Sequence, residues 1–456
     1  MRYRNLDIEA VEHRIENGCE RFKVRVTSSP AGDQRPSDAE PVVLPTELRH
    51  RRARLLARRD ITLAEMIALG EELATALLPA SVRSLLDRSL ERLGDDEGLR
   101  IRLKLDTYAL ADLPWEYLYV APPNTPTGQK GIMGFLALNR QFSLVRYEVL
   151  EQSRIDVLEP IGPGPLRLVV VLARPPGYAE LNLGAEEDNI QSALSKLREK
   201  GLCSLEFYRD ATIVTLEEAL GSSAHILHFS GHGKFESDMG VAYGSLTGAG
   251  SLILHGEIDA EYSLRGDRLA NNLRKRGLRL VVLGACDSAR RDQVNAWTGI
   301  APTLTLVGIP AVVGMQYSIR DPNAIAFSRA FYRTLAEGEP IDTAVSNGRL
   351  AIMNRENQND DERDWGVPVL YMRTEDAVLF RRAQRFQLHP GLLGPAFNLM
   401  QPGNQRCHNL ACRLPIERGT LHCPNCGSEL LWCGNCGSIL RPPFRFCTRC
   451  GLQAEP

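Results

Sequence analysis

The chain lacks a net charge of either sign: 54 Lys and Arg against 56 Asp and Glu leave -2 at pH 7. That balance supplies no global attraction to nucleic acid or to an anionic membrane. An apolar leader is also missing. MRYRNLDIEAVEHRIENG carries charges throughout, so export by a signal peptide is not expected. One stretch, GIAPTLTLVGIPAVVGMQYSI (299–319), is free of charge, but its two prolines and three glycines make a poor membrane span. It reads as a buried helix, a break near Gly308–Pro310 and a buried strand over 311–315. Cysteine is scarce along most of the length: of 11 residues, only Cys19, Cys203 and Cys286 precede residue 407. Clustering without a leader favours metal over disulfides, hence a reducing, cytoplasmic compartment.

At 456 residues the chain is long for a single core. Residues 1–97 mix a strand near Phe22–Val26, a Gly/Pro/Asp-rich loop over 28–44 and helical patterns over 45–94, an N-terminal α+β region. LRHRRARLLARR (48–59) reads as a solvated helix face rather than a nucleic-acid patch, because Leu48, Leu55 and Leu56 give it an apolar stripe. From residue 98, GLRIRLKLD alternates like a half-buried strand, and LPWEYLY (113–119) and SLVRYEV (143–149) read as short strands or turns, with Trp115 in the core. Strands then alternate with helices. The strands fall at 166–173, 205–208, 225–230, 278–284, 311–315 and 366–372; the helices at 185–199, from Thr212, 323–337 and 341–354. The alternation predicts an α/β fold whose mainly parallel sheet is covered on both faces. This region extends to about 380, a Pro/Gly-rich linker covers 381–405, and a small module occupies 406–456.

Two apolar runs end alike. HILHFSGHGKF (225–235) brings His232 between two glycines, and LRLVVLGACDSAR (278–290) brings Cys286 to the same place on its own strand. Ligands of open α/β sheets bind beyond the carboxyl ends of the strands. If these two strands are near neighbours, imidazole and thiol face one pocket across 54 sequence positions. Gly231 and Gly233 are expected to let the backbone turn sharply and Gly233 to let a substrate approach its N–H. An imidazole beside a thiol makes thiolate available to attack a carbonyl, and the N–H groups of Gly233 and Cys286 are placed to hold the oxyanion. His225 and His228 read as satisfied core residues. Position 292 is Asp, where a tyrosine-phosphatase loop needs Arg. Ser288 stands where a glutamine-amidotransferase elbow has Gly.

These motifs, with LPWEYLY, GIPAVVGMQYSI (308–319), AFSRAFYRTLAEGEPIDTAV (326–345) and WGVPVLYMR (365–373), resemble the CHAT peptidases, caspase-like cysteine proteases, over roughly residues 98–380. The resemblance implies a three-layer α/β/α caspase-like sandwich, with Cys286 as nucleophile, His232 as general acid/base and Gly233 with Cys286 as oxyanion hole. It also implies a pocket acid selecting Arg or Lys, for which Asp287 and Asp210 are candidates. Either could instead cap a helix, as could Ser288 or Thr212.

The tail reads CHNLAC (407–412), ten residues, CPNC (423–426), six residues, CGNC (433–436), ten residues, CTRC (447–450). Two units of equal internal spacing each offer four thiolates to a tetrahedral ion: Cys407, Cys412, Cys423 and Cys426, then Cys433, Cys436, Cys447 and Cys450. The tail resembles a double zinc ribbon with two structural Zn²⁺. Sequential pairing is simplest, interleaved pairing is open, and His408 is an alternative ligand. Nine Arg and three Glu give residues 381–456 a formal +6, which eight thiolates and two Zn²⁺ reduce to about +2. A protein-docking module is favoured over a nucleic-acid one.

The expected protein is therefore an intracellular cysteine endopeptidase, with no membrane partner. It would cut a specific protein partner, encoded nearby, and be gated by a regulatory protein or ligand on its N-terminal region or ribbons. The family resemblance implies a bacterial defence or programmed-death setting. The alternative is a silent scaffold binding protein or nucleic acid.

Overall fold

The computed structural model describes residues 2–17, 19–56, 61–123, 125–126, 129–147, 158, 161, 164–178, 181–221, 224–236, 249–257, 260–285, 296–317, 319–355, 362–375 and 377–380. In the tail it describes 405–407, 412, 415–416, 422–423, 425–428, 430, 432 and 439–440. The chain separates into two compact units, one of residues 1–157 and 165–379, the other of 158–164 and 380–456.

The first unit opens with strands β1 (Arg2–Glu16), β2 (Cys19–Ser28) and β3 (Glu40–Val43), then helices α1 (Thr46–Leu56), α2 (Leu63–Leu77) and α3 (Ala80–Leu90). Strand β4 (Glu97–Leu105), the short helix α4 (Tyr108–Ala111) and β5 (Phe142–Tyr147) follow. The next elements are β6 (Leu166–Leu172), α5 (Leu183–Glu199), β7 (Cys203–Tyr208), α6 (Ile213–Gly221) and β8 (Ile226–Glu236). A hairpin, β9 (Ala249–His255) and β10 (Glu261–Arg265), leads into α7 (Gly266–Leu273) and β11 (Leu280–Ala285). The unit closes with α8 (Ala296–Leu306), β12 (Ala311–Met315), α9 (Asp321–Ala336), α10 (Ile341–Met353) and β13 (Pro368–Met372).

One sheet runs β7-β6-β8-β11-β12-β13-β5-β4-β1-β2-β3. It is mainly parallel: only β12–β13, β1–β2 and β2–β3 are antiparallel along that path. Alternate residues of its core strands face opposite layers. Val169, Val171, Leu227, Phe229, Val281 and Leu283 pack with Leu216 of α6, Leu269 of α7 and Leu304 of α8. On the other face His228 reaches α5 and α9. Three layers result, the α/β class expected.

The charge-free stretch folds as read. Helix α8 stops at Leu306, Gly308 turns the chain at φ +110°, and β12 is buried throughout. Among the described residues no helix is long and apolar enough to cross a membrane.

Three expectations about the first 105 residues change. First, β1 was not read as a strand at all. Its alternation of Asn5, Asp7 and Glu9 with Leu6, Ile8 and Ala10 looks too charged for a sheet interior. Second, β4 is not half-buried: Arg100 and Arg102 are 4% and 6% exposed. One cause explains both. The parallel β1–β4 register sets Asn5 beside Arg100, Asp7 beside Arg102 and Glu9 beside Lys104. Arg102 and Lys104 bond those carboxylates at 2.5 and 2.6 Å, so charges cancel across the ladder. Third, the boundary expected at 97/98 falls inside this one sheet.

Arg100 also donates its Nε–H to Asp342 Oδ2 of α10 at 2.5 Å, in a pair of which both side chains are buried. Asp342→Ala leaves that guanidinium buried without its counter-ion. The expected loss is about 3–5 kcal/mol in denaturant unfolding; a change below about 0.5 kcal/mol would show the pair to be dispensable.

The described arginines of LRHRRARLLARR answer acids within the fold. Arg49 meets Glu20, Arg51 meets Glu72, Arg52 meets Asp112 and Arg54 meets Glu65, over fully buried Leu48 and Leu55. Among the described residues this face is ion-paired rather than a free basic patch.

Candidate active site and metal centre

The two strands singled out in the sequence are hydrogen-bonded neighbours. The parallel β8–β11 ladder runs from Ile226 opposite Leu280 to Gly231 opposite Ala285. The next residue of β8 is His232. Cys286 follows Ala285 in sequence and, with Asp287, lies outside the described residues.

Beyond Gly231, β8 changes partner rather than direction. His232 to Glu236 pair antiparallel with β9, with His232 opposite Ile253 and Gly233 opposite Leu252. The sharp turn expected at the glycines is therefore absent: β8 stays extended through both. Gly231 is required for closeness instead, since a Cβ there would lie 2.7 Å from the Phe229 ring and 2.9 Å from Ala173 O. The β9–β10 hairpin that receives this half of β8 is not among the strands expected from the sequence.

The His232 ring is 1% exposed. Tyr178, on the loop after β6, lies over it at 4.8 Å between centroids and 32° between planes. The Tyr178 hydroxyl donates to Glu261 of β10 at 2.5 Å, which ties loop to hairpin. Neither Tyr178 nor Glu261 was predicted: a tyrosine and an acid far apart in sequence carry no shared motif.

Asp210, the other candidate pocket acid, follows β7 at the same carboxyl edge with φ +47°. Its exposed carboxylate lies 3.7 Å from His255 Nε2. Capping of α6 belongs to Thr212, whose hydroxyl accepts from Thr215 N–H at 3.2 Å while Thr212 N–H donates to Thr215 Oγ1 at 2.8 Å.

Below His232 lies a polar cluster that sequence reading reduced to a satisfied histidine. His228 Nε2 is 3.0 Å from Glu186 Oε1 and its Nδ1 is 2.6 Å from the Tyr332 hydroxyl, while Ser230 donates to Glu186 Oε2. Burial pushes the Glu186 carboxyl up, but the hydrogen bonds and charge of His228, with Ser230, outweigh it and hold the group below the usual carboxylate range. The Tyr332 hydroxyl is pushed well above its usual range by burial and by the Glu186 charge. His225 accepts from Arg167 N–H at 3.0 Å, and burial, then Arg279 and Arg167, lower its pKa.

The motif blocks also converge. Tyr117 of LPWEYLY lies 4.8 Å from the Trp365 ring and donates its hydroxyl to Arg363 O at 2.6 Å. Gln316 N–H, just past β12, donates to Val367 O at 2.9 Å.

With this arrangement in view, comparison with known proteins is direct. The CHAT domain matches residues 68–373. The chain belongs to the CHAT family. The family match begins inside α2, upstream of the expected boundary. Among solved structures, the Arg-specific cysteine proteinase gingipain R of Porphyromonas gingivalis aligns at 13% identity and TM-score 0.41, over 69% of this chain and 71% of that one. The Saccharomyces cerevisiae separase–securin complex aligns at 14% and 0.38, over 75% of this chain and 21% of that one. Caspase-1 from Spodoptera frugiperda aligns at 11% and 0.31, over 52% and 99%. No curated protein matches the chain.

In the second unit of this CHAT protein, the sulfurs of Cys407, Cys412, Cys423 and Cys426 all lie within 4.8 Å of one another. The facing pairs are Cys407–Cys426 at 3.7 Å and Cys412–Cys423 at 3.6 Å. None is in a disulfide. The CPNC turn is a knuckle: Gly427 at φ +69° donates its N–H to Cys423 O at 2.9 Å, and Cys423 N–H donates to Ser428 O at 2.8 Å. Four convergent thiols with no charged competitor among them fit a metal ion, and they are the first sequential unit. Cys433, Cys436, Cys447, Cys450 and His408 lie outside the described residues, as does the expected linker up to residue 404.

Proposed function

We propose that this CHAT protein is a cysteine endopeptidase in which Cys286 attacks the scissile carbonyl and His232 serves as general acid/base. The observation that carries this reading is the β8–β11 register, which ends at Gly231 and Ala285, each one residue short of the proposed pair. Neighbouring strands lie about 4.8 Å apart, a spacing at which continuing both strands brings ring and sulfur to one rim. His232 takes the thiol proton, the thiolate adds to the carbonyl, and the imidazolium returns the proton to the leaving amine. The N–H groups of Gly233 and Cys286 act as oxyanion donors. Asp287 or Asp210 reads a basic side chain before the cut.

The substrate in this reading is a protein partner, encoded nearby. The N-terminal region or the tail gates the activity, in a bacterial cytoplasm and in a defence or programmed-death role. The tail carries structural Zn²⁺. All four ligand positions of the first site are taken by thiols, leaving none for a reactive water.

Labelling with a panel of peptidyl acyloxymethyl ketones tests the dyad. A single adduct on Cys286 is expected, with Cys19 and Cys203 unmodified, and His232→Ala should slow it by about 10²-fold or more. Equal labelling of Cys19 and Cys286, indifferent to His232→Ala, would instead favour the scaffold.

A further inference from the structure

Tyr178 covers one face of the His232 ring, and the mechanism above gives it no role. Its place is set by the chain on either side of it. After β6 the sequence reads Arg174, Pro175, Pro176, Gly177, Tyr178. The two prolines restrict φ, and Gly177 takes φ +85°, a conformation that favours glycine and brings the tyrosine back over β8. Just upstream, Ala173 N–H donates to Ser230 O of β8 at 2.9 Å and Arg174 N–H donates to His255 Nε2 of β9 at 3.3 Å. Further on, the Tyr178 hydroxyl donates to Glu261 of β10 at 2.5 Å. His255 and Glu261 face each other across the β9–β10 ladder. One hairpin thus holds the loop at two points, and the same hairpin receives His232 opposite Ile253.

An imidazole hangs on two rotatable bonds, and the second has only a broad preference. Its plane is therefore set by what packs against it. A catalytic group must be held within about 10–20° of its working geometry. At 4.8 Å between centroids and 32° between planes, the phenol ring sits in the range of favourable aromatic pairs. It lies on the face of the imidazole, where turning the histidine ring would drive its edge into the tyrosine. Both imidazole nitrogens lie in the ring plane. A cover on the face therefore fixes that plane and competes for neither nitrogen, whichever of them carries the proton. His232 is enclosed, at 1% exposure, while half-buried Tyr178 and exposed Glu261 form the layer outside it.

A phenylalanine would stack equally well, so the hydroxyl has a separate use. It reaches past β9 to a carboxylate on β10, the strand order being β10-β9-β8. An ionised acceptor strengthens such a bond, and the bond keeps the phenol ring from sliding off the imidazole.

We propose that Tyr178 is a positioning residue for His232, holding the plane of the imidazole, and that Glu261 anchors it through the tyrosine hydroxyl. This rests on the assignment of His232 as general acid/base above.

The peptidyl acyloxymethyl ketone that labels Cys286 fastest serves as probe, with its maximal inactivation rate and its binding constant measured separately. Tyr178→Ala is expected to lower the rate about 10-fold, near the upper end for an aromatic pair, and to leave the binding constant in place. Tyr178→Phe and Glu261→Ala should each lower the rate about three-fold. Their double variant should be no slower than either, since both cut one bond. Glu261→Gln, whose carboxamide oxygen still accepts, should recover most of what Glu261→Ala loses. The stack itself is read by NMR on chain carrying isotope-labelled histidine. The His232 ring-proton resonance, assigned by its absence in His232→Ala, should move in Tyr178→Ala because it leaves the field of the tyrosine ring.

A rate that is unchanged or raised in Tyr178→Ala overturns the proposal. So does a lowered rate with an unmoved resonance, or a change confined to the binding constant. Additive losses in the double variant overturn the anchoring by Glu261. His232→Ala separates this inference from the reading beneath it. If that variant labels as fast as the parent chain, the assignment fails and the positioning role with it; if it is slow while Tyr178→Ala is not, Tyr178 alone loses its role.

Discussion

Cys286→Ala is expected to abolish cleavage of a proteome-derived peptide library, a loss of about 10⁴-fold or more against the parent chain. The size follows from the chemistry. Without the sulfur no acyl-enzyme forms, and water must attack an unactivated amide. His232→Ala leaves the nucleophile but removes its proton acceptor and the acid that protonates the leaving amine. A loss of about 10²–10⁴-fold is expected for it. Groups that act as a unit are not additive, so the double variant should be no slower than Cys286→Ala alone. Identical cleavage sites in parent and Cys286→Ala would place the reaction elsewhere. The same library reads the residue before the cut: an acidic preference would remove Asp287 and Asp210 from substrate recognition.

Metal removal should act on the second unit as strongly as Cys286→Ala acts on catalysis. Four thiols drawn together mutually repel when ionised and bury little else: the described cluster around Cys407 and Cys423 adds Leu430, with Trp432 and Ile439 packed against it. A core of that size does not fold a module by itself. Binding energies of about 10–16 kcal/mol for four-ligand zinc sites are folding energies in such modules. The purified chain should therefore contain zinc by elemental analysis, and Cys423→Ser should lose one equivalent. Chelation should make the tail susceptible to proteolysis. A metal-free chain with a protease-resistant tail would count against a structural ion.

What the sequence made legible, and what it hid, divides along physical lines. Buried parallel strands are continuous apolar runs, so β6, β8, β11 and β12 stand out. Their ends pointed to His232 because a ring between glycines has no packing reason to be there. The charged strands stayed hidden. In β1 and β4 Asp7 and Glu9 are neutralised by Arg102 and Lys104 on the facing strand and Arg100 by Asp342 of α10, and such pairing leaves no trace in any one segment alone. The same holds for Tyr178, from the β6–α5 connection, and for Glu186, in the first turn of α5, which meet β8 only in the fold. The glycines illustrate a different error: freedom to turn was inferred at Gly231, but the structure uses its lack of a side chain.

The order of strands bears on how the molecule is made. β13, the last strand of the large sheet to leave the ribosome, sits in its middle, bonded to β12 on one side and β5 on the other. Until it is synthesised, two part-sheets each expose an unpaired border, the kind of edge that invites wrong partners. Completion of the sheet therefore waits for pairing between segments more than 200 residues apart in sequence, which makes folding slow, and a chain cut short before residue 368 would lack the strand that joins the two part-sheets.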